Sequence, residues 1–434
     1  MVELHRAELH TSVSDPVATS MNFLNEVAGR YPGAISLAAG RPYDGFYSVE
    51  DVLRYQRSYV DHLRAEGQAE SDVRGLLLQY GRTNGQLGAL IARMLEIDEG
   101  ISVPPESVMV TAGAQEGMVI ALRALCAGPD DVVLAVEPCY VGFTGAARIL
   151  GVDVVPVPEA PGGVDPETVA AVARRVRASG RRPRALYLVP NFSNPSGVSL
   201  SEPVRRRLLE VAGEQDLLLL EDDPYGLFGL DDEPRPTLKA LDAESRVLYL
   251  GSFAKSCFPG ARVGFLVADQ TVTDGAGRRT LLADEMSTVK SMLTVNTSPI
   301  SQAVIGGVLV EAGCSLREAN REKLEFYRNN LRTMLGALEE HFPPSVRHRL
   351  GISWTAPSGG FFAVVDVPFV ADESALEVSA EQYGVLWTPM SFFYSAGGTH
   401  ALRLSCSYLE PDRIAEGVRR LSRLVASRTV AEAA

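Results

Sequence analysis

Between residues 107 and 270, short apolar runs alternate with segments of helical periodicity. The runs are continuously apolar, which is typical of strands buried on both faces of a sheet. They lie at 108–111, 132–136, 152–155, 185–189, 217–220, 246–250 and 263–267, and helical segments separate most of them. The pattern predicts an α/β fold, in which a large domain has a mainly parallel seven-stranded sheet flanked by helices.

The two ends of the chain differ from this central region. A short strand is expected from Ile35, followed by a loop at 40–42, and a short helix is expected at 15–27. Beyond about residue 345, strand and helix patterns predict a smaller α+β domain. We therefore expect an N-terminal segment that packs on the small domain or on a dimer partner, a large domain and a small domain, at 1–48, 49–320 and 321–434.

The net charge of -13 and the cysteine pattern limit the class of protein. An acidic chain argues against nucleic acid or an anionic membrane as partner, and no apolar run reaches membrane-spanning length. The five cysteines are scattered without a C-x-x-C pair, which favours reduced thiols in a cytoplasmic protein over disulfides or a zinc site. The central region has no histidine, so neither a His-rich metal site nor a Ser-His-Asp triad is expected there.

Ligands of a parallel sheet bind at the loops beyond the carboxyl ends of its strands, and several of these loops carry polar or aromatic groups. Residues 111–115 follow the first run and precede a helix, which makes them a candidate anion site. Later loops offer Tyr140 as a stacking face, Asn194 in an Asn-Pro-Ser-Gly turn, and Asp222 with Tyr225. Taken alone, the anion turn and Tyr140 are more often purely structural.

Lys255 lies on a loop between the last two runs, with Ser252 before it and Arg262 after it. A lysine amine that is desolvated on a tight loop loses its proton more easily and becomes a usable nucleophile for a Schiff base. The guanidinium of Arg262 suits an anionic group. A surface lysine and a surface arginine are the commoner outcome for such a pair, but the preceding loops together supply what a phosphorylated pyridine cofactor needs.

This order of motifs resembles the fold-type I pyridoxal-phosphate aminotransferases of class I and II, in the branch of aminoadipate and kynurenine aminotransferases. The resemblance covers about residues 15–425 and rests on Asn-Pro-Ser-Gly at 194–197, Asp-x-x-Tyr at 222–225, and Ser-x-x-Lys at 252–255 followed by Arg262. It implies a pyridoxal 5′-phosphate cofactor, transamination between an amino acid and a 2-oxo acid, and a homodimer with shared active sites.

The resemblance also implies the roles of individual residues. Lys255, Asp222 and Tyr225 are the expected catalytic residues, of which Lys255 forms the Schiff base and moves the proton, and Asp222 pairs with the pyridinium nitrogen. Asn194 and Tyr225 are expected to hold the phenolate oxygen, and Tyr140 to stack on the ring. The phosphate is expected to contact Gly113, Ala114, Gln115, Ser252, Arg262 and, from the neighbouring subunit, Tyr80.

Two alanines depart from the family pattern. Ala254 stands where a second serine usually precedes the lysine, and Ala114 stands where the phosphate loop often carries a serine. Both lack a hydroxyl donor, so phosphate binding is expected to depend more on Arg262, Tyr80 and the backbone.

Substrate binding is implied by the same resemblance and by a narrower one. Arg403 resembles the small-domain arginine that grips the substrate α-carboxylate, with Asn194 beside it. Residues 4–10, 21–26 and 40–46 resemble the hydroxyphenylglycine aminotransferases of glycopeptide-antibiotic pathways, which implies 4-hydroxyphenylglyoxylate or its 3,5-dihydroxy analogue as acceptor and tyrosine as a plausible donor. The entrance for an aromatic side chain is then expected to be lined by Gly40, Arg41, Tyr43 and Phe46, with Phe392 and Phe393 as further pocket candidates.

Other readings stay open from the sequence. Residues 40–46 also fit an ordinary surface loop. The same catalytic residues would serve a general aminoadipate or aromatic aminotransferase, or another pyridoxal-phosphate reaction such as amino-acid oxidation, cyclisation or decarboxylation. A regulator that only senses ligand would carry an N-terminal DNA-binding module, for which the short stretch before the domain leaves little room.

Overall fold

The computed structural model describes residues 2–14, 26–27, 29–233 and 235–432. Its strands are β1 Ile35–Ser36, β2 Val108–Thr111, β3 Asp131–Glu137, β4 Asp153–Ala160, β5 Gly163–Val164, β6 Arg182–Leu188, β7 Leu218–Asp222, β8 Val247–Ser252, β9 Gly264–Val267, β10 Thr271–Thr273, β11 Arg279–Leu281, β12 Ser353–Trp354, β13 Phe362–Asp366, β14 Val385–Leu386, β15 Thr388–Pro389 and β16 Ala401–Ser405. The helix expected at 15–27 lies outside the described residues, apart from Glu26 and Val27, which are helical.

The α-helices occupy most of the intervals between these strands. They are α1 Val49–Ala65, α2 Glu70–Leu78, α3 Gly88–Glu99, α4 Ala114–Leu125, α5 Val141–Leu150, α6 Pro166–Ala178, α7 Glu202–Glu214, α8 Leu238–Leu241, α9 Leu282–Leu293, α10 Pro299–Glu311, α11 Leu316–Ala319, α12 Arg321–His341, α13 Pro344–Leu350, α14 Glu373–Val378 and α15 Pro411–Glu432. Side chains cap several of them, as where Asp165 accepts hydrogen bonds from the first turn of α6.

Eight strands form the large sheet, in the order β2-β9-β8-β7-β6-β3-β4-β5. The five strands from β8 to β4 pair in parallel, whereas β9 runs antiparallel to both of its neighbours and β5 antiparallel to β4. The seven strands that the sequence predicts are all present. The eighth, β5, has only two residues and one of them is glycine, so it carries no apolar run that would predict it.

Helices cover both faces of this sheet, which explains why its central strands carry long apolar runs. Val133 faces the core formed with α4, α5 and α9, where Met118 and Phe143 pack. Its neighbour Val132 faces the opposite core, formed with α6 and α7, where Val169 packs. Successive residues of a strand point to opposite faces, so every position of such a strand is buried.

The topology brings several loops to one edge of the large sheet. The parallel strands β3, β6, β7 and β8 all end there, and β2 ends beside them. Because β9 runs the other way, the residues that precede it, Arg262 and Val263, lie at this same edge. Loops that are scattered over about 150 residues of sequence therefore meet in a single region.

The C-terminal part has its own antiparallel sheet, in the order β12-β13-β16-β15. Helices α12 and α15 pack on it through residues such as Leu331 and Val418, which share a core with Val365 and Leu402. Strand β1 pairs with β14, so the N-terminal segment is joined to this part of the molecule. The domain boundaries expected after residues 48 and 320 stay predictions.

None of the described helices combines the length and the apolar character needed to cross a membrane. All five cysteines are free and buried.

Candidate active site

A cavity of about 700 Å³ lies at the loop edge of the large sheet, between it and the C-terminal part. Its lining includes these residues singled out from the sequence: Gly40, Arg41, Ala114, Gln115, Tyr140, Asn194, Asp222, Tyr225, Ser252, Lys255, Arg262 and Arg403. A wider cleft of about 1340 Å³ between the end of α3 and the start of α12 contains none of them. The smaller cavity is therefore the candidate site.

One corner of the cavity is built to hold an anion. The first N–H groups of α4, those of Ala114 and Gln115, have no acceptor within the helix, and the helix dipole is positive at this end. Gly113 caps the helix with a φ of 79°, and a Cβ there would lie 2.5 Å from Arg262 Nη2. Glycine thus provides both the backbone conformation and the room for the guanidinium to approach.

Lys255 lies between this corner and the N-terminal segment. Its Nζ donates a hydrogen bond to the carbonyl oxygen of Gly40 at 2.7 Å. Burial lowers the pKa of Lys255 to about 8, with the nearby cations Arg403 and Arg262 acting in the same direction and Asp222 opposing them. A much larger fraction of this amine is uncharged near neutral pH than for an exposed lysine, as a nucleophile requires.

Asp222, at the end of β7, has one satisfied carboxylate oxygen and one that lacks a partner. Oδ2 accepts a hydrogen bond from the hydroxyl of Tyr187 at 2.7 Å, whereas Oδ1 is buried without a partner among the described residues. Burial raises the pKa of Asp222 to about 7, against the opposing effect of the Tyr187 hydrogen bond. A buried carboxylate of this kind calls for a cationic N–H donor at Oδ1.

Two further loops place an amide and aromatic rings around the same space. Tyr225 and Tyr140 line the cavity, and burial raises the pKa of both, that of Tyr140 to about 12, so both phenols are neutral hydrogen-bond donors. The Asn194 side-chain carbonyl accepts a hydrogen bond from Arg403, and its amide lies within hydrogen-bond reach of the Tyr225 hydroxyl, where it acts to lower the pKa of Tyr225 against the effect of burial. Gln115 donates to the carbonyl of Gly142 at 2.6 Å and so ties the anion corner to the helix that follows Tyr140.

Arg403, on β16, is a buried guanidinium held mostly by neutral groups. It donates to Asn194, to the carbonyl oxygen of Ala38 at 2.9 Å and to the hydroxyl of Thr388 at 3.3 Å. Its Nε has no partner among the described residues, and burial lowers its pKa to about 10. A cation in this state is a ready site for a small carboxylate.

The four residues expected at the entrance separate into two pairs. Gly40 and Arg41 line the cavity, and the Arg41 guanidinium lies 3.8 Å from the centre of the Tyr408 ring. Tyr43 and Phe46 do not line it, so that expectation is wrong. Both pack instead against Phe326, at ring distances of 4.8 and 5.1 Å, because the chain turns away from the cavity after Pro42.

Three aromatic side chains line the cavity around Arg403 and Arg41. Phe393 is one of the pocket candidates from the sequence, whereas Phe362 and Tyr408 were not predicted. The other candidate, Phe392, faces a neighbouring cleft. Tyr187 does not line the cavity but holds Asp222. A tyrosine inside a buried parallel strand has to find a partner for its hydroxyl, and this requirement is the signal that would have singled it out.

Tyr80 and Gly113 lie outside the lining. Gly113 contributes through its neighbour Arg262, as described above. Tyr80 is 85% exposed on the surface of the chain, and its expected contact with the phosphate of a neighbouring subunit stays a prediction. The roles assigned to the individual lining residues are likewise predictions.

Comparisons with known proteins agree with this geometry. Residues 48–421 match the family model for aminotransferase class I and II. A curated relative, (S)-3,5-dihydroxyphenylglycine transaminase of Amycolatopsis orientalis, is 48% identical over 98% of this chain and 95% of its own length. The 2-aminoadipate transaminase of Thermus thermophilus is 31% identical over 90% of each chain.

Two solved structures support the same assignment. Pyrococcus horikoshii kynurenine aminotransferase in complex with PMP superposes with a TM-score of 0.81 at 28% identity, over 97% of this chain and 98% of that one. The α-aminoadipate aminotransferase LysN of Thermus thermophilus, complexed with N-(5'-phosphopyridoxyl)-L-leucine, gives 0.79 at 29% identity over 99% and 100%. This chain belongs to the aminotransferase class I and II family.

Proposed function

We propose that this aminotransferase uses pyridoxal 5′-phosphate and exchanges the amino group between an L-amino acid and an arylglyoxylate, giving an arylglycine such as hydroxyphenylglycine. The aromatic surroundings of Arg403 carry the substrate proposal. The carbon at the centre of its guanidinium lies 4.3 Å from the Phe362 ring and 5.0 Å from the Phe393 ring. The 48% identity to a dihydroxyphenylglycine transaminase supports the same class of substrate.

The residues present fit this cofactor. The turn at Gly113 and the guanidinium of Arg262 suit its phosphate, and the partnerless Oδ1 of Asp222 suits its protonated ring nitrogen. The Lys255 amine suits its aldehyde. The hydroxyl of Ser252 adds a donor near the phosphate corner, with its oxygen also accepting from the N–H of Ala254 at 3.2 Å.

Each group then has a definite task. When bound, the cofactor supplies a carbonyl that accepts the amino group and a ring that withdraws electrons from the substrate α-carbon. Lys255, as an amine of lowered pKa, takes the proton from that carbon. The positive charge of the ring nitrogen would keep Asp222 ionised, and the hydrogen bond that Tyr187 donates to its other oxygen would act in the same direction. Asn194 and Tyr225 would donate to the ring oxygen, and Tyr140 would stack on the ring.

Arg403 orients the substrate. A bidentate contact between its guanidinium and the α-carboxylate would fix the α-carbon close to Lys255, since both Arg403 and Lys255 donate to carbonyls of the same segment, at Ala38 and Gly40. The ring of an arylglycine would then lie among Phe362, Phe393 and Tyr408, where aromatic contacts favour it.

A dimer with shared active sites is part of the proposal. Tyr80, Leu78, Met292 and Val295 are exposed apolar side chains, and a Cβ on Gly81 would lie 3.6 Å from Asn296, so their loops are neighbours. Exposed apolar side chains on neighbouring loops support an interface with another copy of the chain. The free, buried cysteines are compatible with a cytoplasmic enzyme.

The half-reaction tests this function. Protein loaded with pyridoxal phosphate is mixed separately with hydroxyphenylglycine, tyrosine, aminoadipate and glutamate, and the absorbance of the cofactor is followed. We expect hydroxyphenylglycine and tyrosine to convert it to the pyridoxamine form and aminoadipate to be slower. Conversion only by aminoadipate or glutamate would contradict the arylglycine proposal, and spectral changes without any pyridoxamine form would point to another pyridoxal-phosphate reaction.

The second candidate, a general aminotransferase that also accepts dicarboxylic amino acids, is favoured by one observation. Arg41 lines the cavity, and no carboxylate among the described residues pairs with it. Its guanidinium is therefore available for a second carboxylate, as in aminoadipate. The same half-reactions separate the two candidates.

A further inference from the structure

A buried ion pair lies directly behind the anion corner. Lys290 of α9, whose side chain is fully buried, donates to Glu116 Oε2 of α4 at 2.8 Å. The same oxygen accepts the backbone N–H of Ala112 at 2.6 Å. Glu116 therefore joins a buried lysine to the turn that leads into α4.

A set of threonines completes this network. Lys290 also donates to the hydroxyls of Thr294 and Thr297, at 3.3 and 3.1 Å, and Thr294 donates to Glu116 Oε1 at 2.6 Å. Thr297 in turn donates to the carbonyl of Val110 in β2 at 3.0 Å. The last residues of β2 and the first turn of α4 are thus held from one side by α9 and the loop that follows it.

We propose that Glu116 and Lys290 are positioning residues for the phosphate of the cofactor, a role that rests on the proposed use of pyridoxal phosphate. Glu116 accepts the N–H of Ala112, and the next residue, Gly113, lies beside the Arg262 guanidinium and leads into the free N–H groups of Ala114 and Gln115. The turn lacks hydroxyl donors at Ala112 and Ala114, so its backbone N–H groups carry more of the phosphate binding, and their orientation matters more.

The Glu116–Lys290 pair acts by fixing the position of the turn and not by attracting the phosphate through a net charge. Lys290 and Glu116 neutralise each other, so they add little net charge to the corner, and the fixed geometry is their contribution. Ion pairs that are fully buried are seldom a net gain in stability over apolar residues, which makes a role beyond stability the better explanation here.

The test compares the phosphorylated cofactor with pyridoxal, which has no phosphate, on the cofactor-free protein. E116A/K290M removes the acceptor for Ala112 together with the charge, so no unpaired lysine is left buried. We expect its affinity for pyridoxal phosphate to fall roughly 10- to 100-fold, as when outer-shell partners of other bound groups are lost. Its affinity for pyridoxal should be unchanged, and inorganic phosphate should compete less well.

Two further variants separate positioning from stability. E116Q/K290M keeps an acceptor oxygen without the charges and should restore most of the affinity for pyridoxal phosphate. K239M breaks a second buried ion pair of matched geometry, Lys239–Asp269 at 2.6 Å, away from the anion corner. It should lower the melting temperature, as we also expect for E116A/K290M, but leave the affinity for pyridoxal phosphate unchanged.

The outcomes are distinct. Wild-type affinity in E116A/K290M, or equal loss for pyridoxal and pyridoxal phosphate, would overturn the positioning role. A wild-type protein that does not bind pyridoxal phosphate at all would instead overturn the proposed function.

Discussion

The cavity has two halves that the chain assembles in different ways. The cofactor half is built from loops that directly follow strands of one sheet, between Thr111 and Gly264. The substrate half combines β1 and the residues after it, Phe362, and the stretch from Phe393 to Tyr408. The large sheet alone holds the cofactor half. The substrate half forms only where the C-terminal sheet and the N-terminal segment pack against the large sheet. Two hydrogen bonds, from Lys255 to Gly40 and from Arg403 to Asn194, join the halves.

Loss of the amine in the cofactor half should have the largest effect. Lys255→Ala removes both the covalent attachment and the proton carrier, so turnover should fall by more than about 10⁴-fold. Lys255→Arg keeps a cation that does not lose its proton at neutral pH, and should be equally inactive. Single-turnover measurements with both variants check this, and substantial turnover by either one would contradict the role of Lys255.

The second largest effect is expected for Asp222, the carboxylate of the cofactor half. Asp222→Asn keeps the size of the side chain but removes the charge that Oδ1 offers to the ring nitrogen, so kcat should fall roughly 100- to 1,000-fold. Tyr187→Phe removes only the donor to Oδ2 and should cause a smaller loss. Steady-state kinetics at saturating cofactor measures both effects, and near-normal turnover of Asp222→Asn would exclude the pairing.

In the substrate half, Arg403 should matter for every substrate alike. Arg403→Met removes charged hydrogen bonds worth about 1.5–3 kcal/mol, which corresponds to roughly a 10- to 150-fold higher KM. Arg403→Lys should not rescue it, because an ammonium lacks the bidentate fork. Affinity for pyridoxal phosphate should stay unchanged in both variants. A loss confined to one substrate would show that Arg403 reads a side chain instead.

Arg41 should show a smaller and more selective effect. Its stacking on Tyr408 is worth about 0.5–1 kcal/mol, so Arg41→Met should lower kcat/KM for hydroxyphenylglycine only about 2- to 5-fold. A larger loss for aminoadipate would identify Arg41 as the site of a distal carboxylate. Equal effects on both substrates would show that Arg41 has only a structural role. Competition between hydroxyphenylglycine and aminoadipate for the same enzyme is the direct measurement.

The cofactor-free protein should also show a pH dependence of stability. Burial raises the folded-state pKa of Asp222 and Glu159 to about 7 and that of Glu221 to about 8. The folded protein then binds more protons than the unfolded chain between about pH 4 and 8, so stability falls as the pH rises through this range. Melting temperatures should decrease accordingly, and less steeply for Asp222→Asn. A melting temperature that rises over this pH range would contradict the raised pKa values of these buried carboxyl groups.

The difference between the cofactor half and the substrate half also explains how much of the site could be predicted from the sequence. Buried parallel strands carry a strong apolar signal, and their carboxyl ends converge by topology, so Asp222, Asn194 and Lys255 could be placed at one edge without a structure. The contact between Arg262 and the turn at Gly113 follows from β9 running antiparallel, which periodicity does not reveal.

The lining of the substrate half was harder to predict from the sequence. Tyr43 and Phe46 follow Gly40 closely in sequence, yet they turn away from the cavity and pack on Phe326, a contact between distant parts of the chain. Tyr408 enters because the C-terminal sheet is placed beside the N-terminal segment, a long-range contact that leaves no local pattern. The Glu116–Lys290 pair joins residues 174 positions apart and was missed for the same reason.

The central claim, that the cofactor half attaches pyridoxal phosphate through one lysine, has a direct test. The loaded protein is treated with borohydride, digested, and its peptides are mapped by mass spectrometry. We predict the mass of one reduced pyridoxyl phosphate group on the peptide that contains Lys255, and none in Lys255→Ala. A label on another lysine, or no label in a protein that retains activity, would contradict the account.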